Sequence, residues 1–368
     1  MKKRFVFLVL AACVSLMLTG CEDSLIFPTT TVSTTSSTTT TIGPDQAVLW
    51  AVGNSKGGYG MILHTTNGGL NWVRQGSPQE VPAVQLWSVC AIDDNNVWIV
   101  GDPDNGYPTI LKTTDGGASW QRKSSAAYLG TDELLKISAL DTMTAWVVGL
   151  NGTILRTTDG GDTWVKQNDS NVPAVQLQAV YALDSQHVWA GGGADSGYLT
   201  MVRSTNGGSS WVRQGSSSLE VTGENLIDIY ALDENNVWAT GGRYAILKTS
   251  DGGDHWVSQH QTVMGDCNGI FPLDVNTAWI AQDYGHILHT TDGGTTWDEQ
   301  LSSQSGFGIY FLLMPRALNK NVCWIAGTNS SWQNIGVILR TTDGGASWEA
   351  QTMPEDCNMW GISISGVR

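Results

Sequence analysis

The residues of this chain whose types and spacing could do chemistry recur in seven short segments. Each segment places a hydroxyl residue, an acidic or amide residue and two glycines shortly before a tryptophan, as in ILRTTDGGDTW, which ends at Trp164. The acidic or amide position holds Asn67, Asp115, Asp159, Asn206, Asp251, Asp292 and Asp343 in turn. A catalytic acid would not tolerate the two Asn copies, whereas a turn cap would. The sequence therefore predicts seven structural turns, in which this side chain accepts backbone N–H groups and glycine supplies positive φ.

Histidine and cysteine show no spacing typical of a metal site or of a nucleophile with its base. The six histidines are His64, His187, His255, His260, His286 and His289, and they lack the spacing of zinc ligands. The cysteines beyond the N-terminal segment are Cys90, Cys267, Cys323 and Cys357, which leave three pairings open, although buried thiols are the simpler expectation. We therefore expect no catalytic residue, no metal and no cofactor.

A basic or titratable residue precedes each of the seven segments. This column holds His64, Lys112, Arg156, Arg203, Lys248, His289 and Arg340. We expect their aliphatic stems to cover tryptophans and their polar ends to pair with nearby carboxylates. The alternative is a positive binding patch. With 34 acidic and 19 basic residues, however, the chain has a formal net charge of −15, which argues against nucleic acid as a partner.

A second tryptophan recurs in step with the first and defines a four-stranded unit. It is found in VWxVG-like segments at Trp50, Trp98, Trp146, Trp189, Trp238, Trp279 and Trp324. An apolar run precedes most of these, so each unit reads as strands A to D, with the Asp-bearing turn between C and D and its tryptophan packed back across the blade. Repeats of this length with four strands predict a β-propeller. A column of β-branched residues should lie in strand A: Val89, Ile137, Val180, Ile229, Ile270, Ile309 and Ile362.

The two ends of the repeat array predict how the ring closes. The first unit begins at strand B, and the chain ends on an unpaired strand A in CNMWGISIS. These two pieces should form one blade, which removes open sheet edges. The expected fold is all-β: a seven-bladed propeller of four-stranded antiparallel blades over residues 46–368.

The N-terminal segment predicts export and a lipid anchor. Residues 1–20 combine a basic start with a short apolar stretch, as in a signal peptide. The motif LTGC resembles the lipobox of bacterial lipoproteins, which implies acylation of Cys21 and membrane contact through that lipid. Residues 21–45 contain a Thr/Ser-rich tract too polar to fold, and should be a flexible tether. The expected location is the bacterial cell envelope, outside the cytoplasm, on a membrane or leaflet that the sequence does not specify.

The pattern Ser/Thr-x-Asp-x-Gly-x-x-Trp resembles the Asp-box, or bacterial neuraminidase repeat. Seven copies with VWxVG and ILRTTDGG resemble the photosystem II assembly factor family of propellers, which implies a non-enzymatic protein that binds a protein partner, including a membrane complex. Asp-box propellers also include sialidases and xyloglucanases, so a glycan-binding or glycan-cleaving protein is the alternative. A sialidase needs three converging arginines, and the non-repeat arginines Arg243, Arg316 and Arg368 suggest no such triad.

Departures from the repeat indicate where a partner would bind. Four units have longer B–C loops, and these carry Tyr59, Tyr107, Tyr198 and Trp332. Trp332, Trp87 and Trp360 are the three tryptophans that do not occupy repeat positions. Aromatic side chains on one rim suit a protein partner or a glycan, and the alternative is that they cover their own blades. We expect a monomer that binds its partner through this rim.

Overall fold

The computed structural model describes residues 42–124, 132–214, 225–243, 245–259, 265–302, 309, 311–330 and 335–367. Several residues named above lie outside these ranges: Cys21 and the tether through residue 41, His260, Trp332 and Arg368. Within the described residues the strands form seven antiparallel sheets of four strands each. The predicted all-β fold is confirmed.

The seven sheets are the blades, and in each of them strands A, B, C and D follow one another from the centre outward. Blade 1 holds β28 (Met359–Ile364), β1 (Leu49–Lys56), β2 (Tyr59–Thr65) and β3 (Val73–Arg74). Blade 2 holds β4 (Leu86–Ala91), β5 (Val97–Asp104), β6 (Tyr107–Thr113) and β7 (Gln121–Arg122). Blade 3 holds β8 (Leu134–Ala139), β9 (Ala145–Gly149), β10 (Ile154–Thr157) and β11 (Val165–Lys166). Blade 4 holds β12 (Leu177–Ala182), β13 (Val188–Asp195), β14 (Tyr198–Ser204) and β15 (Val212–Arg213).

The remaining blades repeat the same order. Blade 5 holds β16 (Leu226–Ala231), β17 (Val237–Gly241), β18 (Ile246–Thr249) and β19 (Val257–Ser258). Blade 6 holds β20 (Cys267–Pro272), β21 (Ala278–Gln282), β22 (Ile287–Thr290) and β23 (Asp298–Leu301). Blade 7 holds β24 (Phe311–Asn319), β25 (Val322–Ser330), β26 (Ile335–Thr341) and β27 (Glu349–Ala350). Two short 3₁₀ turns, Pro44–Gln46 and Leu150–Gly152, are the helical segments of the described chain.

The ring closes as the chain ends predict. Strand β28 pairs antiparallel with β1, with Leu49 opposite Ile364 and Ala51 opposite Ile362. Each strand A also contacts the strand A of the next blade, and β28 continues this series between β24 and β4. The first blade is therefore built from both ends of the propeller.

Tryptophan packing joins neighbouring blades. The strand-B tryptophans are fully buried, and in blades 2, 3, 6 and 7 the tryptophan after the C–D turn packs edge-on against the strand-B tryptophan of the preceding blade. The ring centroids of Trp120 and Trp50 are 5.8 Å apart, and those of Trp164 and Trp98 are 6.0 Å apart. Trp120 and Trp164 each lie in a core cluster with residues of their own blade and of the preceding one, so the ring packs in the seam between two blades and not across its own blade alone.

The predicted strand-A column holds in six blades and is wrong in blade 7. There Ile309 precedes the strand, and Pro315 lies opposite Ile325 in the position that Ile270 takes opposite Ile280. The backbone N–H of Ile270 does not enter its own sheet but donates to Asp228 of the preceding blade at 3.2 Å. Proline is tolerated at this position because no hydrogen bond of the sheet is lost.

Candidate functional site

The alternation of the strands gives the propeller two faces. The hairpins between strands B and C lie at the end where strand A begins, and we call this side the hairpin face. The C–D turns with their Asp or Asn residues lie at the opposite end, and we call this side the Asp-box face. The two faces carry different kinds of candidate residue.

On the Asp-box face, each acidic or amide side chain is engaged in its own turn. Asp159 Oδ1 accepts the Thr157 hydroxyl at 2.8 Å and the Thr163 backbone N–H at 2.9 Å, and Oδ2 accepts the Thr163 hydroxyl. These bonds to Thr163 and Thr157 lower the pKa of Asp159 to about 2. Asn67 and Asn206 accept the equivalent backbone N–H at 2.9 Å. The same geometry recurs at Asp115, Asp251, Asp292 and Asp343.

The basic column connects blades instead of forming a surface patch. Lys112 Nζ lies 4.4 Å from the centroid of the Trp98 ring and donates to the carbonyls of Thr142 and Gly160 in the next blade. His64 stacks on Trp50 with 4.0 Å between ring centroids. The other five members lie over the strand-B tryptophan of their own blades: Arg156, Arg203, Lys248, His289 and Arg340.

The expected pairing of this column with carboxylates is found at Arg340, which bonds Asp45. The other cations described above bond backbone carbonyls, so for them the expectation is wrong. Burial lowers the pKa of Lys112, Arg156 and Lys248, and it also lowers the pKa of the two column histidines, His64 and His289. The five cations of the column therefore link neighbouring blades, whereas the two histidines contact the tryptophan of their own blade.

On the hairpin face, the predicted B–C loops are continuations of the strands. In blades 1, 2 and 4 the strands run to two-residue turns at Gly57–Gly58, Asn105–Gly106 and Ser196–Gly197, with both residues at positive φ. These are the turns that match the twist of a hairpin. In each hairpin the first residue of strand C is a tyrosine: Tyr59, Tyr107 or Tyr198. Tyr107 and Tyr198 are 41% and 42% exposed, and Tyr59 is half-buried.

An arginine at the end of strand D braces each of these three hairpins. Arg122 donates to the Asp104 carboxylate at 2.7 Å and to the Tyr107 carbonyl at 3.2 Å. Arg213 bonds Asp195 at 2.5 Å. In blade 1 the guanidinium of Arg74 lies 3.6 Å from the centroid of the Tyr59 ring. Each hairpin is therefore bonded to strand D of its own blade.

The sequence contains a signal for this brace in the second residue of strand D. The units with the three described tyrosine hairpins have arginine as the second residue of strand D, whereas blades 3, 5 and 7 have Lys166, Ser258 and Ala350 there. The fourth long hairpin joins β25 and β26, and its tip with Trp332 lies outside the described residues. The predicted aromatic rim is thus described at three of its four positions.

A second feature of the hairpin face is a ring of side chains around the central channel, which we call the collar. It consists of the second residue of each strand A, with its counterpart in blade 7: Trp360, Trp87, Leu135, Gln178, Ile227, Asn268 and Leu313. In blades 1 to 6 this residue is the extra residue of a β-bulge. In blade 2, for example, Leu86 pairs with Gly101 and Ser88 pairs with Val100, so Trp87 between them has no partner in strand B. Bulges re-aim side chains. In this propeller they place two non-repeat tryptophans at the channel mouth.

The two collar tryptophans are in contact and are anchored by their indole N–H groups. Their ring centroids are 5.3 Å apart at an interplanar angle of 50°. Trp87 Nε1 donates to Asp102 at 2.6 Å, and Trp360 Nε1 donates to Asn54 at 2.6 Å. Burial raises the pKa of Glu133, and the neighbouring Asp102 carboxylate raises it further.

The cysteines and the possible metal ligands show no reactive site in the part of the chain that is described. Cys90, Cys267, Cys323 and Cys357 are unpaired thiols, and burial raises the pKa of Cys267 to about 12 and that of Cys357 to about 11. No group of three or more His, Cys, Asp or Glu side chains in that part could hold a metal ion. Among the same residues, no helix is long and apolar enough to cross a membrane.

The fold and the turns define the class: a seven-bladed propeller built from Asp-box repeats. The chain matches the family described as photosynthesis system II assembly factor YCF48 over residues 45–176 and 216–364, and it belongs to that family. A comparison with curated protein sequences gave no match.

Solved structures agree with this fold. A structure described as YCF48 bound to D1 peptide is 22% identical, with a TM-score of 0.59, covering 77% of this chain and 87% of that one. YCF48 from Cyanidioschyzon merolae is 20% identical, with a TM-score of 0.56, covering 73% of this chain and 85% of that one. A GH74 xyloglucanase from Xanthomonas campestris is 14% identical, with a TM-score of 0.53, covering 85% of this chain and 60% of that one.

Proposed function

We propose that this protein is a non-enzymatic scaffold that binds a protein partner through its hairpin face. The observation that carries the proposal is the set of three braced hairpins, two of which present an exposed tyrosine, Tyr107 or Tyr198, on the same face, while Tyr59 in the third packs against the core. The family is described as an assembly factor, and a solved relative was determined with a bound peptide. Both facts support protein binding as the role of the fold.

The geometry suits recognition of another protein. Tyrosine is enriched at protein interfaces because it buries a large ring and keeps a hydroxyl for hydrogen bonding. A rigid support lowers the entropy lost on binding. In addition, the Asp-box carboxylates each bind within a separate turn, so they are arranged as structural groups and not as a catalytic pair. The absence of enzymatic activity is part of the proposal.

The test is capture of a partner by crosslinking in the host envelope. The variant carries Tyr59→Ala, Tyr107→Ala and Tyr198→Ala, and the matched control carries Leu70→Ala, an exposed apolar residue beside a turn of the Asp-box face. We expect the triple variant to lose the specific partner that the wild type and the control both capture. If the triple variant captures the same proteins in the same yield, the hairpin face is not the binding surface. Trp332→Ala tests the fourth hairpin separately.

We further propose that a lipid on Cys21 tethers the scaffold to a membrane surface and that the Thr/Ser-rich tract after it holds the scaffold clear of that surface. The expected end of this tether at residue 45 is wrong, because Pro44–Gln46 form a 3₁₀ turn and Asp45 bonds Arg340 of the propeller. The motif around Cys21 supports this proposal. In the host, Cys21→Ala should move the protein from the membrane fraction to the soluble fraction of the envelope. Retention of this variant in the membrane fraction after a high-salt wash would contradict the tether.

A further inference from the structure

A small cavity lies inside the central channel, between the collar and the Asp-box end. Its volume is about 60 Å³, and every blade contributes to its lining the strand-A residue that pairs with the strand-B tryptophan. Lys136 lines both this cavity and the wider opening inside the collar, so the two are adjacent. A buried water needs about 10–15 Å³ of such volume, so the cavity can hold one small ion with water but not a sugar or a nucleotide.

The charged side chains that line the cavity carry an excess of positive charge. They are Lys136, Asp228 and Arg316. Lys136 Nζ donates to Asp228 Oδ1 at 3.0 Å, and the backbone N–H of Ile270 donates to Oδ2 at 3.2 Å. Both oxygens of the carboxylate are therefore bonded, and its charge is balanced by Lys136. The charge of Arg316 is left over.

Arg316 has no counter-ion among the described residues. Its Nη1 donates to the carbonyl of Pro315 at 2.8 Å, and its guanidinium lies 5.6 Å from the centroid of the Phe271 ring. The Nε of Arg340 is buried without a partner, whereas the unbonded nitrogens of Arg316 are not closed off in this way. The N–H groups of Arg316 can therefore reach a ligand in the cavity.

Serine hydroxyl groups add further donors to the lining. Ser138 Oγ accepts the Ala182 N–H at 3.0 Å, and Ser363 Oγ accepts the Ala91 N–H at 3.1 Å. Because each oxygen is the acceptor in its bond, its own proton remains to be donated. Neither proton has an acceptor within the described part of the chain. The polar side chains of the cavity thus offer donors that lack acceptors.

The two cations of the channel act on each other. Burial lowers the pKa of Lys136, the Asp228 carboxylate opposes this effect, and the positive charge of Arg316 lowers the pKa further. Arg316 is therefore close enough to destabilise the charged form of Lys136. A negative charge beside the two would relieve this repulsion, whereas a bound cation would increase it.

We propose that the channel cavity binds one small monovalent anion, of the size of chloride. The Arg316 guanidinium supplies its counter-charge, and the hydroxyl groups of the lining serines donate hydrogen bonds to it. A halide suits this site because the available groups are donors and the volume excludes a large organic anion. The site lies inside the channel and not on the tyrosine hairpins, so it does not depend on the protein-binding role.

The test measures the melting temperature of the full chain while sodium chloride replaces sodium gluconate. Ionic strength is held at about 0.2 M, so that the screening of surface charges stays constant. Gluconate is too large for the cavity, and we expect chloride to raise the melting temperature, as a ligand of the native state does. Bromide should act in the same way. A crystal grown in bromide should contain one bromide ion in the channel, within hydrogen-bond distance of Arg316.

Variants assign the effect to the channel. Arg316→Gln removes the counter-charge and should weaken chloride binding at least about tenfold, so the rise in melting temperature should disappear. In gluconate this variant should be no less stable than the wild type, because it also removes the repulsion on Lys136. Arg316→Lys keeps the charge and should retain the rise. Lys320→Gln removes one positive charge from an exposed position of the same blade, and as the matched control it should also retain the rise.

Four results would overturn the proposal. They are an unchanged melting temperature of the wild type in chloride, a rise in Arg316→Gln equal to that in Lys320→Gln, only water in the channel of the bromide crystal, and a larger response to exchange of sodium for potassium at fixed chloride. If Arg316→Gln does not fold, the bromide crystal of the wild type decides the question. Partner capture by the hairpin face is scored independently with the tyrosine variants.

Discussion

At the scale of single residues, Asp159 shows how an Asp-box carboxylate is used. It accepts three hydrogen bonds from Thr157 and Thr163, and all of them lie within one turn. Asn206 forms the same network, because its Oδ1 accepts the Ser210 N–H at 2.9 Å and its Nδ2 donates to the Ser210 hydroxyl at 2.8 Å. The position requires an acceptor of the right shape and does not require a charge.

We therefore expect Asp159→Asn to be close to neutral for stability. Asp159→Ala removes the acceptors and should lower the free energy of unfolding by about 1 kcal/mol, the typical effect of losing a capping side chain. Urea unfolding at neutral pH measures both variants. A loss in Asp159→Asn as large as that in Asp159→Ala would show that the negative charge itself matters.

The carboxylate turns also predict how stability depends on pH. Hydrogen bonds lower the pKa of Asp115, Asp159, Asp292 and Asp343 to about 2, below the usual 3.8. A lowered pKa in the folded state adds stability above the unfolded pKa, and that stability is lost as the pH falls toward the folded pKa. The melting temperature should therefore fall between about pH 4 and pH 2, and a variant with Asn at all four positions should fall less steeply. Parallel melting curves of the two proteins would contradict this origin of the acid sensitivity.

At the scale of elements, the spacing of the two tryptophan series predicts the strands, because each marks a fixed position in strand B or after the C–D turn. The misplaced Ile309 shows the limit of this reasoning. In blades 2 to 6 the residue of the strand-A column lies nine positions before the strand-B tryptophan, as Ile270 does before Trp279. In blade 7 the residue with this spacing before Trp324 is Pro315. The preference for a β-branched residue favoured the wrong position. The spacing was the better guide.

The hairpins and the collar are harder to predict from the sequence than the strands are, and the reason differs between the two. Asn105–Gly106 is a recognised hairpin turn between two strands, so the extension of blade 2 could have been predicted locally. The collar depends on an extra residue in strand A, which changes which way Trp87 and Gln178 point. A one-residue shift in register moves a side chain to the other face of the sheet, and no local sequence motif indicates where such a shift occurs.

The arginine braces are testable at this scale. Arg122→Ala removes the bonds to Asp104 and Tyr107 and should speed amide hydrogen exchange at the tip of the blade 2 hairpin, with little change in melting temperature because the tip lies outside the core. Lys166→Ala, at the equivalent position of blade 3, is the control and should leave exchange in both blades unchanged. Unaltered exchange at Asp104 and Tyr107 in Arg122→Ala would show that the turn alone holds the hairpin.

The contacts between blades give a second prediction. Lys112→Met keeps an apolar stem over Trp98 but leaves the carbonyls of Thr142 and Gly160 without their donor, so it should cost about 1–2 kcal/mol in urea unfolding. Lys112→Arg should cost much less, because arginine occupies this column in blades 3, 4 and 7. Equal costs for the two variants would indicate that side-chain volume, and not the donor, determines stability at this position.

At the scale of the whole molecule, stability depends on a closure that is not covalent. Residues 359–364 supply the innermost strand of blade 1, and Ile362 and Ile364 are buried in the core shared by blades 1 and 7. Deleting residues 356–368 exposes an edge of β1 and opens the ring between blades 7 and 2. Because every blade packs against two neighbours, the damage should spread beyond blade 1.

We expect this deletion to lower the melting temperature by at least about 10 °C, since it removes several buried side chains and one strand pairing at once. A synthetic peptide of residues 356–368, added in excess, should restore part of the loss by binding to the open edge, as any ligand of the native state does. A scrambled peptide of the same composition should have no effect. An unchanged melting temperature in the truncated protein would show that the ring does not need its last strand, and rescue by the scrambled peptide would show that the stabilisation is nonspecific.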